Sequence, residues 1–226
     1  MFYYDSTMII LIPALIISFI AQMKVNTTFE KYSRVRSQGG STGEQVARRL
    51  LDSKGLFDIP VELVQGKLTD HYDPVNRVMR LSSDVYYGTS VASIGVAAHE
   101  TGHAIQHQEN YAPLKIRNTI VPVANLGSNL SWILLILGFI LGISGLVKTG
   151  IILFSTVVLF QLVTLPVEFD ASSRAISMLE GTGTLYGEEI KGAKNVLSAA
   201  AMTYVAATLT AISQLLRLIV LSRRDD

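Results

Sequence analysis

The chain has no cysteine among its 226 residues. A disulfide framework and a cysteine zinc site are therefore excluded, and any metal must be bound by histidine, aspartate or glutamate. Neither sign of charge is in marked excess, because 19 lysines and arginines nearly balance 18 acidic residues. A net charge of +1 gives no electrostatic basis for binding nucleic acid, so we expect no nucleic-acid partner.

Charged residues are scarce, at 16% of the chain against 49% hydrophobic residues, which is too apolar for an ordinary soluble domain of this size. The apolar residues are concentrated in four runs: residues 8–23, 120–147, 151–166 and 195–221. The last run is the weakest candidate for a membrane span, because Gln214 and Arg217 lie inside it. We therefore predict three to four transmembrane helices.

The ends of these runs lead to two further expectations. The first run has no basic residue before it and no small-residue cleavage pattern after it, and it can be extended toward Tyr4. It is therefore expected to be a membrane anchor rather than a removed signal peptide. Only Lys148-Thr149-Gly150 separates the second run from the third, which predicts a tight helical hairpin with its turn at these residues.

Basic residues beside the runs predict the orientation in the membrane. The N-terminal tail has none and the predicted hairpin turn has one, Lys148. The polar segments 24–119 and 167–195 carry the others near the runs: Lys24, Lys31, Arg34, Arg36, Lys115, Arg117, Arg174, Lys191 and Lys194. This bias predicts a cytoplasmic location for both segments, although Arg223 and Arg224 oppose it if the fourth run spans fully.

The motif His99-Glu100-Thr101-Gly102-His103 carries the clearest chemistry. Two histidines four residues apart share one helix face, so both can bind a single zinc ion. Glu100 would then lie beside the open metal position, where a glutamate can act as a general base toward water.

The sequence up to and including the motif predicts a helix, then two strands, then the helix that carries the motif. A capping box from Ser41 to Glu44 opens an amphipathic helix that stops near Gly55. Residues 59–64 and 78–86 read as strands and are predicted to form a small antiparallel ribbon. The segment 77–85 is either a rail that binds an extended peptide by strand addition or an ordinary edge strand.

The motif helix is predicted from about Val91 to His107, with its N-cap supplied by Gly88-Thr89-Ser90. Gly95 and Gly102 would weaken such a helix unless another helix packs close to its backbone. We therefore expect close helix packing at both glycines.

A catalytic zinc site needs a third protein ligand. His107 lies a further turn along the helix, too far for one metal to meet all three histidines easily, and His71 lies in a predicted turn. Glu168 and Asp170 follow Pro166, which is predicted to start a helix at the membrane surface. The two acids point about 200° apart on a helix, so they cannot both face one ion, and the choice stays open.

The chain resembles the YugP-like neutral zinc metallopeptidases of bacterial membranes and, more distantly, the HtpX-type membrane gluzincins. The resemblance rests on Asp73-Pro74, Leu81-Ser82, Val85-Tyr86, Ala98–Ala104, Pro166–Ala171 and Ala201–Ala206. It implies His99 and His103 as zinc ligands, Glu100 as the catalytic base and Glu168 as the third ligand. The HtpX-type relatives carry an aspartate where this chain has Ser172, which leaves open whether Asp170 takes over that supporting role.

The resemblance and the run boundaries together predict five segments. These are an N-terminal transmembrane anchor (1–23), a cytoplasmic zincin core with the motif helix (24–119), a transmembrane hairpin (120–166), a third-ligand helix and loop (167–195), and a C-terminal membrane-associated or transmembrane helix (196–226). The predicted fold class is a mainly α membrane protein with a small α+β zincin core, consisting of a helix, a short antiparallel ribbon and the motif helix.

The predicted function is a membrane-integrated zinc endopeptidase that hydrolyses membrane or membrane-proximal polypeptides. Zinc is the expected cofactor and the lipid bilayer an expected partner. Tyr204, Tyr186 and Arg174 are candidates for stabilising the oxyanion. The alternatives are an intramembrane protease, which residues 86–110 are too polar to favour, and a membrane scaffold with a structural zinc, in which His107 could complete the site.

Overall fold

The computed structural model describes residues 6–223 and is mainly helical. A short 3-10 helix, Ser6–Ile10, comes first. The α-helices of the described residues are α1 (Ile12–Ser33), α2 (Gly43–Ser53), α3 (Ser83–Tyr86), α4 (Val91–Gln108), α5 (Ala112–Leu141), α6 (Ser144–Gly181) and α7 (Glu188–Ser222). The strands are β1 (Val61–Val64), β2 (His71–Asp73) and β3 (Val78–Ser82). Tyr4 and Arg224, which enter the membrane predictions, lie outside the described residues.

The chain divides into two compact units. The first contains the described residues up to Gln22, then Ala112–Pro166, and the chain from Met202 onward. The second contains Met23–Tyr111 and Val167–Ala201. The motif helix and Glu168 both belong to the second unit, so the candidate site lies within one unit.

Four helices of the described chain, α1, α5, α6 and α7, are long and apolar enough to cross a membrane. Many of their large apolar side chains are exposed, as Phe19 and Ile140 are. Such exposure suits helices whose neighbours are lipid chains rather than water. Within the first unit, Leu135, Phe154 and Leu218 belong to a small apolar core between α5, α6 and α7.

The predicted hairpin turn at Lys148-Thr149-Gly150 is wrong. Helix α5 ends at Leu141 and α6 begins at Ser144, so Lys148 and Gly150 lie inside α6. Gly142 takes a φ of +66° at the turn, a conformation that glycine adopts without the strain of a side chain. The polar residues interrupt the hydropathy of the run, but the turn forms where the backbone can reverse.

The predicted helix start at Pro166 is also wrong, because α6 continues through this proline from Ser144 to Gly181. A proline removes one backbone donor, and the surrounding hydrogen bonds of a long helix can tolerate that loss. Glu168 therefore lies inside a long helix and not at a helix N-terminus.

The predicted antiparallel ribbon is replaced by a mixed three-stranded sheet in the order β1-β3-β2. Strand β1 pairs with β3 in parallel, from Val61 opposite Met79 to Val64 opposite Ser82. Strand β2 lies in the segment predicted as a turn and pairs antiparallel with β3. The connection between β1 and β3 is long enough for the crossover that parallel pairing needs.

This strand order corrects both interpretations of residues 77–85. Strand β3 is the central strand, so it is neither an edge strand nor a rail with free backbone groups. The strand also ends earlier than predicted, because Ser83–Tyr86 forms α3. The edge strands are β1 and β2.

Capping residues begin α2 and α4, and a close glycine contact packs α4 against α6. Thr42, not Ser41, caps α2 and forms a reciprocal capping box with Gln45, so the predicted box is wrong by one residue. Ser90 caps α4 by accepting from the N–H of Ser93, which confirms the predicted N-cap. A Cβ on Gly102 would lie 2.6 Å from the Ala171 carbonyl oxygen, so the predicted close packing is confirmed there.

Candidate metal centre

Three side chains from two helices meet at one point of the second unit. The Nε2 atoms of His99 and His103 lie 3.3 Å and 3.6 Å from Glu168 Oε2. The ligand atoms of all three residues lie within 4.8 Å of one another. Ligands about 2.0–2.2 Å from a tetrahedral zinc are about 3.3–3.6 Å apart, so the two distances to Glu168 fit a shared divalent ion.

Helix periodicity explains this arrangement. The i, i+4 spacing brings His99 and His103 to one face of α4, with their ring centres 4.7 Å apart and nearly perpendicular. Because Gly102 has no side chain, the α6 backbone at Ala171 can approach α4 closely. Because Glu168 lies one turn before Ala171 on α6, its carboxylate reaches the histidines.

The second nitrogen of each imidazole also has a partner. His99 Nδ1 lies 3.2 Å from Ser172 Oγ, and His103 Nδ1 lies 3.0 Å from Gln106 Oε1. Partners of this kind orient metal-binding imidazoles and select the tautomer that leaves the other nitrogen free to bind a metal. Both Nε2 atoms face Glu168, as a metal site requires.

Asp170 does not share the position of Glu168. Its Oδ2 accepts hydrogen bonds from Gln106 Nε2 at 2.8 Å and from Arg174 Nε at 2.6 Å. The supporting role that the sequence left open is therefore divided, with Ser172 beside His99 and Asp170 connected to His103 through Gln106. Arg174 also donates to Glu109, so both acids lie beside its guanidinium.

The other two histidines have partners away from this cluster. The ring nitrogen His107 Nδ1 lies 2.9 Å from the hydroxyl oxygen of Tyr72, and His71 Nδ1 lies 2.7 Å from the Thr69 carbonyl oxygen. Among the described residues, the cluster of possible ligands contains His99, His103 and Glu168 alone.

Glu100 is buried and directed toward β2 by a backbone donor. Its Oε2 accepts the N–H of Tyr72 at a distance of 3.0 Å. A second acid, Asp70, accepts the backbone N–H of Ser82 at 2.7 Å and lies near enough to feel the charge of Glu100. Burial raises the pKa of Asp70, and the negative charge of Glu100 adds to that increase.

The electrostatics around His103 favour a positive charge. Burial alone would lower the pKa of His103, but its hydrogen bond to Glu168 and the charges of Glu100 and Glu168 outweigh burial and raise the pKa. The same negative environment that stabilises a proton on an imidazole would stabilise a divalent cation.

Sequence reasoning missed two residues of this region, Gln106 and Tyr72. Gln106 lies three residues after His103 and thus on a neighbouring part of the same helix face, which is a signal that could have found it. Tyr72 depended on the pairing of β2, which lies in a segment predicted as a turn.

Two histidines and one carboxylate, with a glutamate next to the first histidine, are the residue set typical of one class of protein, the zinc metallopeptidases. Residues 7–223 match the family described as "Putative neutral zinc metallopeptidase", and the chain belongs to this family. It is 54% identical over 217 residues to the "Putative membrane protease YugP" of Bacillus subtilis (strain 168), across 95% of this chain and 96% of that protein. The predicted resemblance to the YugP-like neutral zinc metallopeptidases is therefore confirmed.

No solved structure matches this chain.

Proposed function

We propose that the chain is a membrane-integrated zinc endopeptidase in which His99, His103 and Glu168 bind the metal. The observation that carries this proposal is the convergence of these three side chains, with their ligand atoms within 4.8 Å. The family match and the name of the relative support the same activity. Three protein ligands leave room for the open position that distinguishes catalytic from structural zinc.

In the proposed mechanism, bound zinc supplies Lewis acidity, which lowers the pKa of water and polarises a carbonyl group. Glu100 removes the proton from the attacking water and then delivers it to the nitrogen of the departing amine. The Tyr72 N–H supports this role because it holds the buried Glu100 carboxylate in one orientation. Ser172 and Gln106 hold the imidazole rings of His99 and His103.

The proposed substrate is an extended polypeptide from a membrane or membrane-proximal protein. Edge strands can bind an extended chain through backbone hydrogen bonds. Strand β2 is the edge strand beside Glu100, so β2 replaces β3 as the proposed peptide rail; the Tyr72 N–H is already donated to Glu100 and would not itself bind the substrate.

We propose that the protein crosses the plasma membrane several times and that its metal site lies on the cytoplasmic side. The segments 23–111 and 167–201 form one unit, and α5 and the first part of α6, up to Pro166, lie between them in the chain. Two successive crossings would return the chain to the same side. The basic residues flanking these segments support the cytoplasmic side by the positive-inside rule. The five predicted segments, including the membrane anchor and hairpin, remain part of this proposal.

Zinc content and hydrolysis measured on the purified full chain test the proposed function. We expect about one zinc per chain and peptide hydrolysis that a chelator removes. The matched pair His103→Ala and His107→Ala separates the site from helix damage, because both histidines lie on α4. We expect loss of zinc and activity in the first variant and retention of both in the second.

Zinc binding without chelator-sensitive hydrolysis would favour the alternative of a membrane scaffold with a structural zinc. Loss of zinc in His107→Ala would also favour that alternative, since a fourth protein ligand closes the coordination shell. A chain that binds no zinc would refute the metal site itself.

A further inference from the structure

The buried amide of Gln106 connects the two helices of the candidate metal centre. Gln106 is fully buried, which is costly for an amide unless its polar atoms are paired. Its Nε2 donates to the Val167 carbonyl oxygen and to Asp170 Oδ2, each at 2.8 Å. Its Oε1 lies 3.0 Å from His103 Nδ1.

These contacts determine which way the amide points. An amide nitrogen has two hydrogens, and here both meet atoms that only accept: a backbone carbonyl and a carboxylate beside the Arg174 guanidinium. The reverse orientation would place the amide oxygen of Gln106 against two other oxygens. The oxygen of Gln106 must therefore face His103.

The orientation of Gln106 in turn determines the tautomer of His103. Because Oε1 can only accept, His103 Nδ1 must carry a hydrogen, so in the neutral ring Nε2 keeps its lone pair. Nε2 is the atom that faces Glu168. The neutral ring is thus prepared to bind a metal through the correct nitrogen before any metal arrives.

Gln106 also bonds to α6 on both sides of the third ligand. Its two acceptors, Val167 and Asp170, flank Glu168 along the helix. One side chain therefore orients a ligand on α4 and holds the α6 segment that carries another. Arg174 holds Asp170 in turn, with 2.6 Å between Arg174 Nε and Asp170 Oδ2.

We propose that Gln106 is a positioning residue that selects the Nδ1–H tautomer of His103 and aligns Glu168 with the histidines. The inference rests on the metal site proposed above, and the two can fail separately. The tautomer is measurable in metal-free protein, whereas the site is measured by zinc binding.

The test compares wild type with Gln106→Met and Gln106→Glu. Imidazole 15N NMR of the metal-free full chain, at a pH where His103 is neutral, measures the tautomer, and zinc competition measures the affinity for zinc. Methionine removes the acceptor, so we expect His103 to lose its Nδ1–H preference and the zinc dissociation constant to rise about 10- to 100-fold. Glutamate keeps an acceptor toward His103 but loses the donors to Val167 and Asp170, so we expect the Nδ1–H tautomer to persist while zinc affinity falls.

Thr101→Val is the matched control, because Thr101 is fully buried on the same helix and donates to the Ala97 carbonyl oxygen. We expect this control to change zinc affinity less than twofold. An equal loss in Thr101→Val would overturn the proposal in favour of general loosening of α4. A neutral His103 ring in wild type with its hydrogen on Nε2 and not on Nδ1 would overturn the proposal without any variant, even if Gln106→Met fails to fold.

Discussion

Glu100 Oε2 accepts the backbone N–H of Tyr72, with 3.0 Å between the oxygen and the nitrogen. This bond joins the motif helix α4 to the edge strand β2. The donor to the proposed general base is thus a main-chain group. Its position depends on the pairing of β2 with β3 and not on a flexible side chain.

The variant Glu100→Gln is expected to keep its metal and lose its activity. A glutamine oxygen can still accept the Tyr72 N–H, but an amide cannot take a proton from water. We expect peptide hydrolysis to fall about 10²- to 10⁴-fold with zinc stoichiometry unchanged. Hydrolysis rates and zinc content of the purified variant provide the measurement.

The matched control for this change is Glu62→Gln on β1, where the carboxylate lies at the surface beside Arg80. We expect near wild-type hydrolysis and zinc content in the control. Wild-type hydrolysis by Glu100→Gln would rule out the proposed base.

Ser172 is expected to support zinc binding through His99. Its Oγ lies 3.2 Å from His99 Nδ1, so Ser172→Ala removes the partner of that nitrogen. We expect the zinc dissociation constant to rise about tenfold, whereas Ser172→Asp supplies a stronger acceptor and should bind zinc at least as tightly as wild type. Zinc competition assays measure both variants.

Ser173→Ala is the control for Ser172→Ala, because Ser173 is the exposed neighbour on the same helix. Equal zinc affinities for Ser172→Ala and Ser173→Ala would show that the Ser172 contact does not affect the metal.

Two local signals in the sequence predicted local features correctly. Ser90 as the N-cap of α4 and the close approach at Gly102 follow from residues whose chemistry demands them. Glu168 was predicted through resemblance, since spacing alone did not separate it from Asp170. Only the packing of α6 against α4 distinguishes their directions.

Features that depend on distant partners could not be predicted from local patterns. The central position of β3 depends on two strands from different parts of the chain. The turn at Gly142 depends on backbone reversal and not on the polarity of Lys148, which the prediction used. Pro166 resembles a helix start locally, yet the residues on both sides continue one helix.

The β2–β3 turn is expected to lose stability in acid because of Asp73. The pKa of Asp73 lies well below its usual range, chiefly because the side chain and backbone of Asn76 donate hydrogen bonds to its carboxylate. Slight burial raises this pKa, and a hydrogen bond from Arg80 lowers it further. A depressed carboxyl pKa gives stability that is present above the unfolded value, about 3.9, and lost as the pH falls toward the folded value.

The variant Asp73→Asn measures this contribution. We expect it to lower stability by about 1 kcal/mol near neutral pH, a figure reduced for solvent exposure. The gap between wild type and variant should shrink below about pH 4, which circular dichroism melts of the full chain at several pH values would measure. A gap that is independent of pH would contradict the role of the charged carboxylate.

Gly102→Ala is expected to damage both stability and zinc affinity. The added Cβ would lie 2.6 Å from the Ala171 carbonyl oxygen and 3.1 Å from its Cα, so α4 and α6 must move apart. Overpacking of this kind costs about 1–3 kcal/mol. Since Glu168 and Ala171 lie one turn apart on α6, the displacement should also separate Glu168 from the histidines.

Gly181→Ala is the matched control, because Gly181 ends the same helix α6 and a Cβ there has no atom within 4 Å. We expect its stability to stay within about 0.5 kcal/mol of wild type and its zinc affinity to be unchanged. Thermal melts and zinc competition on both variants provide the comparison. If Gly102→Ala binds zinc as tightly as Gly181→Ala, then close contact between α4 and α6 is not what aligns the carboxylate with the two imidazoles.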